Sequence, residues 1–138
     1  MDAAVAQALA LTPASSAADR AVEITTMGRV SGLPRRLDIR LYRVADKNYL
    51  CESPGRDPAW YEDVVEHPHF TLHLRNGVVA DIRAKAVPIT EEAERARVLE
   101  AIVADLNQPS NPCGIIQPTA LDAWLEGSVL AEVRFDES

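Results

Sequence analysis

Period-two alternation, repeated in segment after segment with connections of only a few residues, constrains this chain more than any other feature. Val22, Ile24 and Thr26 alternate with Glu23 and Thr25. Leu37, Ile39 and Leu41 share one face, with Asp38, Arg40 and Tyr42 on the other. A run of this kind is a half-buried strand, because successive side chains point to opposite sides of a sheet. Tyr49 to Glu52, Phe70 to Arg75, residues 78–87 and residues 129–135 continue the series, which makes about six strands. Asp46-Lys47-Asn48 reads as a turn between two of them and Asn76-Gly77 as a hairpin. Connections this short cannot make a parallel crossover, so the pairing is mostly antiparallel. No βαβ alternation occurs. The expected class is α+β, mainly β: a small closed or half-open barrel with two or three helices.

The helices fall between the strands. A short helix is expected over residues 3–11, ended by Pro13. Residues 1–19 as a whole make an N-terminal arm that could pack or fray, ahead of one domain at 20–138. Asp57 is placed to cap a helix at 59–66, with Pro58 in its first turn and His67-Pro68 as its stop. Thr90 is placed to cap the longest helix, to Leu106, whose Leu99, Ile102, Val103 and Leu106 form one apolar stripe. Three prolines and a glycine make residues 107–118 a loop, and residues 120–125 a short helix.

Composition limits what such a barrel could do. The 138 residues, 47% hydrophobic and 25% charged, amount to one ordinary globular domain. Fourteen Lys and Arg against 21 Asp and Glu give a net charge of −7, which repels nucleic-acid backbones and anionic lipid. No apolar run approaches the ~20 residues of a membrane span. The start carries an acid where a secretory signal carries bases. Cys51 and Cys113 belong to no CxxC pair, so a reducing cytoplasm with two free thiols is the expected setting. His69 and His73 lie ~13 Å apart along a strand, too far to share a metal, and no metal is expected. No GxSxG, Walker or GxGxxG motif is present.

Two loops remain. Arg29, Arg35, Arg36, Arg40 and Arg43 crowd into fifteen positions of an acidic chain, and the first three flank the loop Gly28-Arg-Val-Ser-Gly-Leu-Pro34. Guanidinium forks and backbone amides converging there suit a phosphate or carboxylate, although arginines on a strand rim also serve simply to prevent edge pairing. In Ser53-Pro-Gly-Arg-Asp-Pro-Ala-Trp-Tyr61, a strand end runs into a helix whose first turn carries Trp60. That suits a flat heterocycle with an anionic tail, while an aromatic covering one end of the core is the plainer alternative. Trp124 falls in a different region.

Taken together, the segments 24–36 and 53–61 resemble the deazaflavin-dependent nitroreductase and quinone reductase family. His-Pro-His-Phe-Thr-Leu-His-Leu at 67–74, Asn76-Gly77 and the helix start at 88–97 add to the likeness. The resemblance implies a split β-barrel of the FMN-binding-like kind that binds coenzyme F420. It implies hydride transfer from the reduced deazaflavin to a small quinone-like or conjugated acceptor. Gly28, Arg29, Ser31, Gly32 and Arg35 match the phosphate- and tail-binding loop, with Arg36 adjacent. Ser53, Gly55 and Arg56 match the loop that meets the ring, and Trp60 the aromatic at its edge. The chain departs from the family pattern at Val30, where many members have a base, and at Asp63, where an asparagine is usual. A carboxylate at 63 would repel an anionic tail unless protonated or turned away. Residues 107–124 contain no tyrosine, which argues against a nitroimidazole acceptor. FMN, haem or another tetrapyrrole on a non-catalytic barrel is the alternative. No catalytic residue stands out; Tyr42, Tyr61 and water are candidate proton donors. A homodimer is expected, through an apolar sheet face left uncovered.

Overall fold

A computed structural model of the chain describes residues 1–136; the end of the domain expected at 20–138 therefore lies outside the described residues. Six strands close into an antiparallel barrel: β1 (Ala21–Met27), β2 (Pro34–Val44), β3 (Lys47–Cys51), β4 (His69–Leu74), β5 (Ala80–Pro88) and β6 (Leu130–Phe135). Their order around the barrel is β1-β2-β3-β6-β5-β4, every neighbouring pair being antiparallel. Closure gives every strand two neighbours, although β2 pairs with β1 over Pro34–Arg40 and with β3 only over Leu41–Val44.

Five helices complete the fold: α1 (Ala3–Leu9), α2 (Ala17–Arg20), α3 (Ala59–Glu66), α4 (Glu92–Leu106) and α5 (Leu121–Gly127). Two lie in the N-terminal arm, and α2 is not expected from the sequence. Its four residues are too short for a periodic signal, and a capping box between Ser16 and Asp19 holds it. Helix α1 ends at Leu9 rather than residue 11, yet Val5, Leu9 and Leu11 all enter the barrel core, so the arm packs on the body. The cap of α4 is Glu91, not Thr90: its carboxylate accepts from the amides of Ala93 and Glu94. Pro58 is the cap residue of α3, while the Asp57 carboxylate still accepts from the Ala59 amide. The β2–β3 turn falls at Ala45 and Asp46, not at residues 46–48. Both have positive φ (50° and 64°), as a two-residue hairpin matched to strand twist requires, and Lys47 and Asn48 are freed for pairing. Strand β5 begins at Ala80 rather than residue 78, and α5 extends to Gly127, beyond residue 125.

The alternating residues build two cores. Ile24, Leu41, Leu50, Leu72, Ala84 and Val133 fill the barrel, plugged at one end by Trp60 and Val64 of α3. Outside the barrel, Tyr42, Tyr49, Cys51 and Leu130 meet Val98, Leu99, Ile102 and Leu106 of α4 and Trp124 of α5. Strand β3 is thus buried on both faces, which explains its unbroken Tyr49-Leu50-Cys51 run. On the far side, the outward positions of β1, β4 and β5 are Glu23, Thr25, Thr71, His73, Asp81 and Arg83. That uncovered face is polar. The apolar sheet face expected to drive pairing is therefore not found among the described residues.

Candidate functional site

A groove follows the outward face of β2. Arg36, Asp38, Arg40 and Tyr42 stand at every second position of that strand, a span of roughly 20 Å at ~3.3 Å per residue. Arg35, Arg36, Asp38, Glu52, Arg56 and Trp60 border a cavity of about 330 Å³ at one end. Asp38, Arg40, Tyr42, Glu52, Ser53 and Arg56 border the next, of about 440 Å³, with Asp38, Glu52 and Arg56 common to both. The line ends in about 230 Å³ walled mainly by Tyr42, Leu106, Ile115, Ile116 and Trp124, with Arg40, Ser53 and Thr119 among them. Opposite Arg40 in the β1–β2 register stands Ala21, whose small side chain leaves the middle open. Volumes in this range are those of small-molecule and cofactor sites.

Of the ten residues singled out by sequence, Arg35, Arg36, Ser53, Arg56 and Trp60 border the groove. The glycine loop adjoins its charged end and is held from below. Asp63 of α3, wholly buried, accepts from the Thr26 hydroxyl (3.2 Å) and the Arg29 amide (3.0 Å), and pairs with the Arg35 guanidinium (3.4 Å). The carboxylate is turned inward and satisfied, so its departure from asparagine anchors the loop instead of repelling a ligand. Ser31 Oγ accepts from the Leu33 amide and closes the loop on itself, and a side chain at Gly28 would meet that oxygen at 2.6 Å. Gly32 (φ 70°) turns the chain, and Val30 is exposed at the tip. Arg29 extends to Glu62 of α3 at 3.0 Å, and Arg36 to Glu23 at 2.6 Å. In the second loop, Gly55 adopts φ 82° in the turn where the Arg56 amide donates to the Ser53 carbonyl.

Trp60 is 2% exposed and belongs to the barrel core; only an edge reaches the groove. Its indole N–H donates to Glu52 Oε2 at 2.9 Å, fixing that carboxylate on the groove wall. Tyr61 packs edge-on against it, ring centroids 5.8 Å apart, and does not border the groove. Trp124, expected elsewhere, lines the apolar end instead. Tyr42 therefore is the tyrosine at the site. Burial pushes its phenol up to about 12 and the neighbouring Cys51 thiol likewise to about 12, so both stay protonated at neutral pH. The Tyr42 ring is backed by buried Arg20, whose guanidinium carbon lies 5.6 Å from the ring centroid. Arg20 also donates to the carbonyls of Ser15 and Thr12, tying the arm to the apolar end of the site. Sequence reasoning missed Arg20, Asp38, Arg40, Glu52 and Ile115. The common outward face of Asp38, Arg40 and Tyr42 was the available signal. Among the described residues no group of three His, Cys, Asp or Glu side chains could hold a metal ion. No helix among them is long and apolar enough to cross a membrane.

The barrel is of the split-barrel, FMN-binding-like class. A solved FAD-binding protein from Mesorhizobium loti matches with a TM-score of 0.63 at 12% identity, over 99% of this chain and 91% of that one. A structure described as an F420 reductase matches with a TM-score of 0.56 at 14% identity, over 85% and 86% of the two chains. At such identities the likeness is one of fold. The sequence itself goes further: residues 15–110 match the family of F420H(2)-dependent quinone reductases, and the chain belongs to that family. No curated protein matches the sequence as a relative.

Proposed function

We propose that the chain is an oxidoreductase that holds reduced coenzyme F420 in the groove along β2 and reduces a small quinone-like or conjugated acceptor. The observation that carries this reading is the groove's polarity. Arg35, Arg36 and Arg56 gather at one end among Asp38, Glu52 and Asp57, and their guanidinium forks are what an anionic phosphate-and-glutamate tail needs. Tyr42, Ile115, Leu106 and Trp124 gather at the other, where a flat ring and a flat acceptor need apolar walls. When bound, the deazaflavin supplies the hydride. The protein's share is to bind and orient. Arg35 and Arg36 neutralise the tail together with Arg56, which the family resemblance places in the ring loop but which borders the arginine cavity. Gly28, Arg29, Ser31 and Gly32 shape the loop beside it, and Ser53 and Gly55 let backbone approach the ring. Trp60 holds Glu52 in place at the groove wall, and Tyr42 contributes a protonated phenol.

Binding is tested by titrating the protein with F420 and following absorption. Arg56 makes no ion pair among the described residues. Arg56→Ala should therefore weaken F420 by about tenfold, or ~1.4 kcal/mol, without loss of stability. Unchanged affinity would remove the groove assignment. Oxidation of the reduced coenzyme by menadione is the corresponding activity test.

The FAD-binding neighbour favours a second reading, in which a flavin occupies the groove without turnover. Tight FMN binding with no F420 binding would select it. We further propose a single domain at 20–138 with 1–19 as its arm, a cytoplasmic setting for the free thiols of Cys51 and Cys113, and a homodimer. A structure of this fold described as a domain-swapped dimer, at 18% identity, supports the last, and a monomer in light scattering at micromolar concentration would contradict it.

A further inference from the structure

Two of the arginines assigned to the coenzyme's anionic tail, and Arg29 in the loop beside them, already carry a carboxylate. Arg29 pairs with Glu62, Arg35 with Asp63 and Arg36 with Glu23. The three carboxylates differ in how readily they can leave. Asp63 is wholly buried and also holds the Thr26 hydroxyl and the Arg29 amide, so it is part of the scaffold. Arg35 can keep that contact and still offer its remaining N–H groups to the groove. Glu62 and Glu23 are 48% and 31% exposed at the side chain, and each has somewhere else to go. Glu62 lies in the first turn of α3, where the helix dipole favours a negative charge. Glu23 Oε1 lies 3.9 Å from Arg75 Nε, a second cation on the same sheet face.

We propose that Glu23 and Glu62 are specificity-determining residues that stand in for the ligand's anionic oxygens and set which anions the arginine end accepts. This rests on the F420 reading of the groove. An arginine that already holds a glutamate offers a ligand fewer N–H groups and less uncompensated charge until the glutamate leaves, so a singly charged ligand gains little over the glutamate it displaces. A phosphodiester carrying further carboxylates engages several arginines together and wins the exchange. Exposed pairs of this kind are weak, which makes the barrier low: each displacement should reduce apparent affinity by only about two- to fivefold. The glutamates thereby filter out abundant small anions while leaving the polyanionic coenzyme bound.

The test is a titration of F420 against wild type, Glu62→Gln, Glu23→Gln and the double variant, with Arg56→Ala and Glu66→Gln alongside. Glu66 sits at the end of α3, so Glu66→Gln removes the same charge away from the loop. Each glutamine variant at 23 or 62 should bind about two- to fivefold more tightly, the double variant by about the product, and competition by inorganic phosphate should strengthen by a larger factor than F420 binding. An equal factor would mean that the glutamates lower anion affinity without discriminating, and would overturn the proposal. Glu66→Gln should bind like wild type. If Arg56→Ala weakens F420 while the variants at 23 and 62 do not tighten it, the proposal fails and the groove reading stands. If Arg56→Ala is also without effect, the groove reading falls and the proposal with it. Tightening by Glu66→Gln as strong as by Glu62→Gln would reduce the effect to net charge and overturn the proposal.

Discussion

The two sides of the barrel exterior solve the same problem in opposite ways. On the side of β3 and β6, outward residues are apolar and α4 and α5 lie over them, making a second core of Tyr49, Cys51, Leu99, Ile102 and Trp124. On the side of β1, β4 and β5, α3 meets the strands where it plugs the barrel, no helix among the described residues joins a second core on the outward face, and the outward positions carry a charged and hydrogen-bonded ladder. There His73 Nδ1 and Asp81 Oδ1 are 2.7 Å apart, His73 Nε2 and the Thr25 hydroxyl are also 2.7 Å apart, and Arg75 pairs with Asp81 at 3.1 Å. Strand β2 is the boundary. Its outward residues pass from Arg36, paired with Glu23 of the open side, to Tyr42, buried in the covered side. A groove along such a boundary acquires a charged end and an apolar end without any residue placed specially for the purpose. The lesson is that the polarity of the site follows from where the covering helices stop.

The largest effect should come from breaking the covered side. Leu99 is fully buried between α4 and the sheet, so Leu99→Ala should cost about 2–5 kcal/mol in urea unfolding, and loosen the Tyr42 end of the groove with it. Arg83→Ala on the open side removes an exposed side chain with no ion pair among the described residues, and should change stability by less than about 0.5 kcal/mol. Equal losses at the two positions would mean that the exterior halves are not energetically distinct.

Next in size is the charged end of the boundary. Arg35→Ala removes one cation from the groove and also one partner of buried Asp63, so it should weaken F420 by tenfold or more and lower stability as well. Arg35→Ala combined with Asp63→Asn should recover stability but not affinity. Recovery of both would place the role of Arg35 in the scaffold alone.

Legibility in the sequence divides along the same boundary. Strands appear as alternation because a side chain's face is a local property, and all six were readable, together with α3 and α4. The turn at Ala45-Asp46 was misplaced by one residue because its positive φ values sit on residues with no glycine to mark them. Asp63 was readable as an acid near a tail-binding loop, but depth is set by what packs above a residue, and only the fold turns that carboxylate inward. The groove was half visible. Asp38, Arg40 and Tyr42 share a face in any strand reading, whereas the opposite walls come from residues 53–60 and Ile115, which sequence spacing does not bring together. Trp60 could be read both as a core plug and as a cofactor wall, and its position, buried with one edge on the groove, joins the two.

The smallest effect should be the acid response of the open side, and it separates the two halves most cleanly. The hydrogen bond from His73, then that from Arg75, holds the Asp81 carboxyl below its ordinary 3.8. The Arg36 hydrogen bond does the same for Glu23, below 4.5. Both groups have a lower pKa folded than unfolded, so the unfolded chain binds protons first as pH falls. Their contribution to stability is therefore fully present above the ordinary carboxylate range and is lost as pH drops through the lowered folded values. Both pairs are solvent-exposed on the acid side, so the loss should be modest and should shrink further in high salt. Urea midpoints followed downward from neutral pH should show it in wild type, and less of it in Asp81→Asn. On the covered side, Tyr42 and Cys51 have raised pKa values and stay neutral throughout this range, so they add nothing to the acid limb; their contribution is lost only as pH climbs toward about 12. An acid slope unchanged in Asp81→Asn and Glu23→Gln together would mean that the open face's charge ladder does not respond to protonation as its geometry requires.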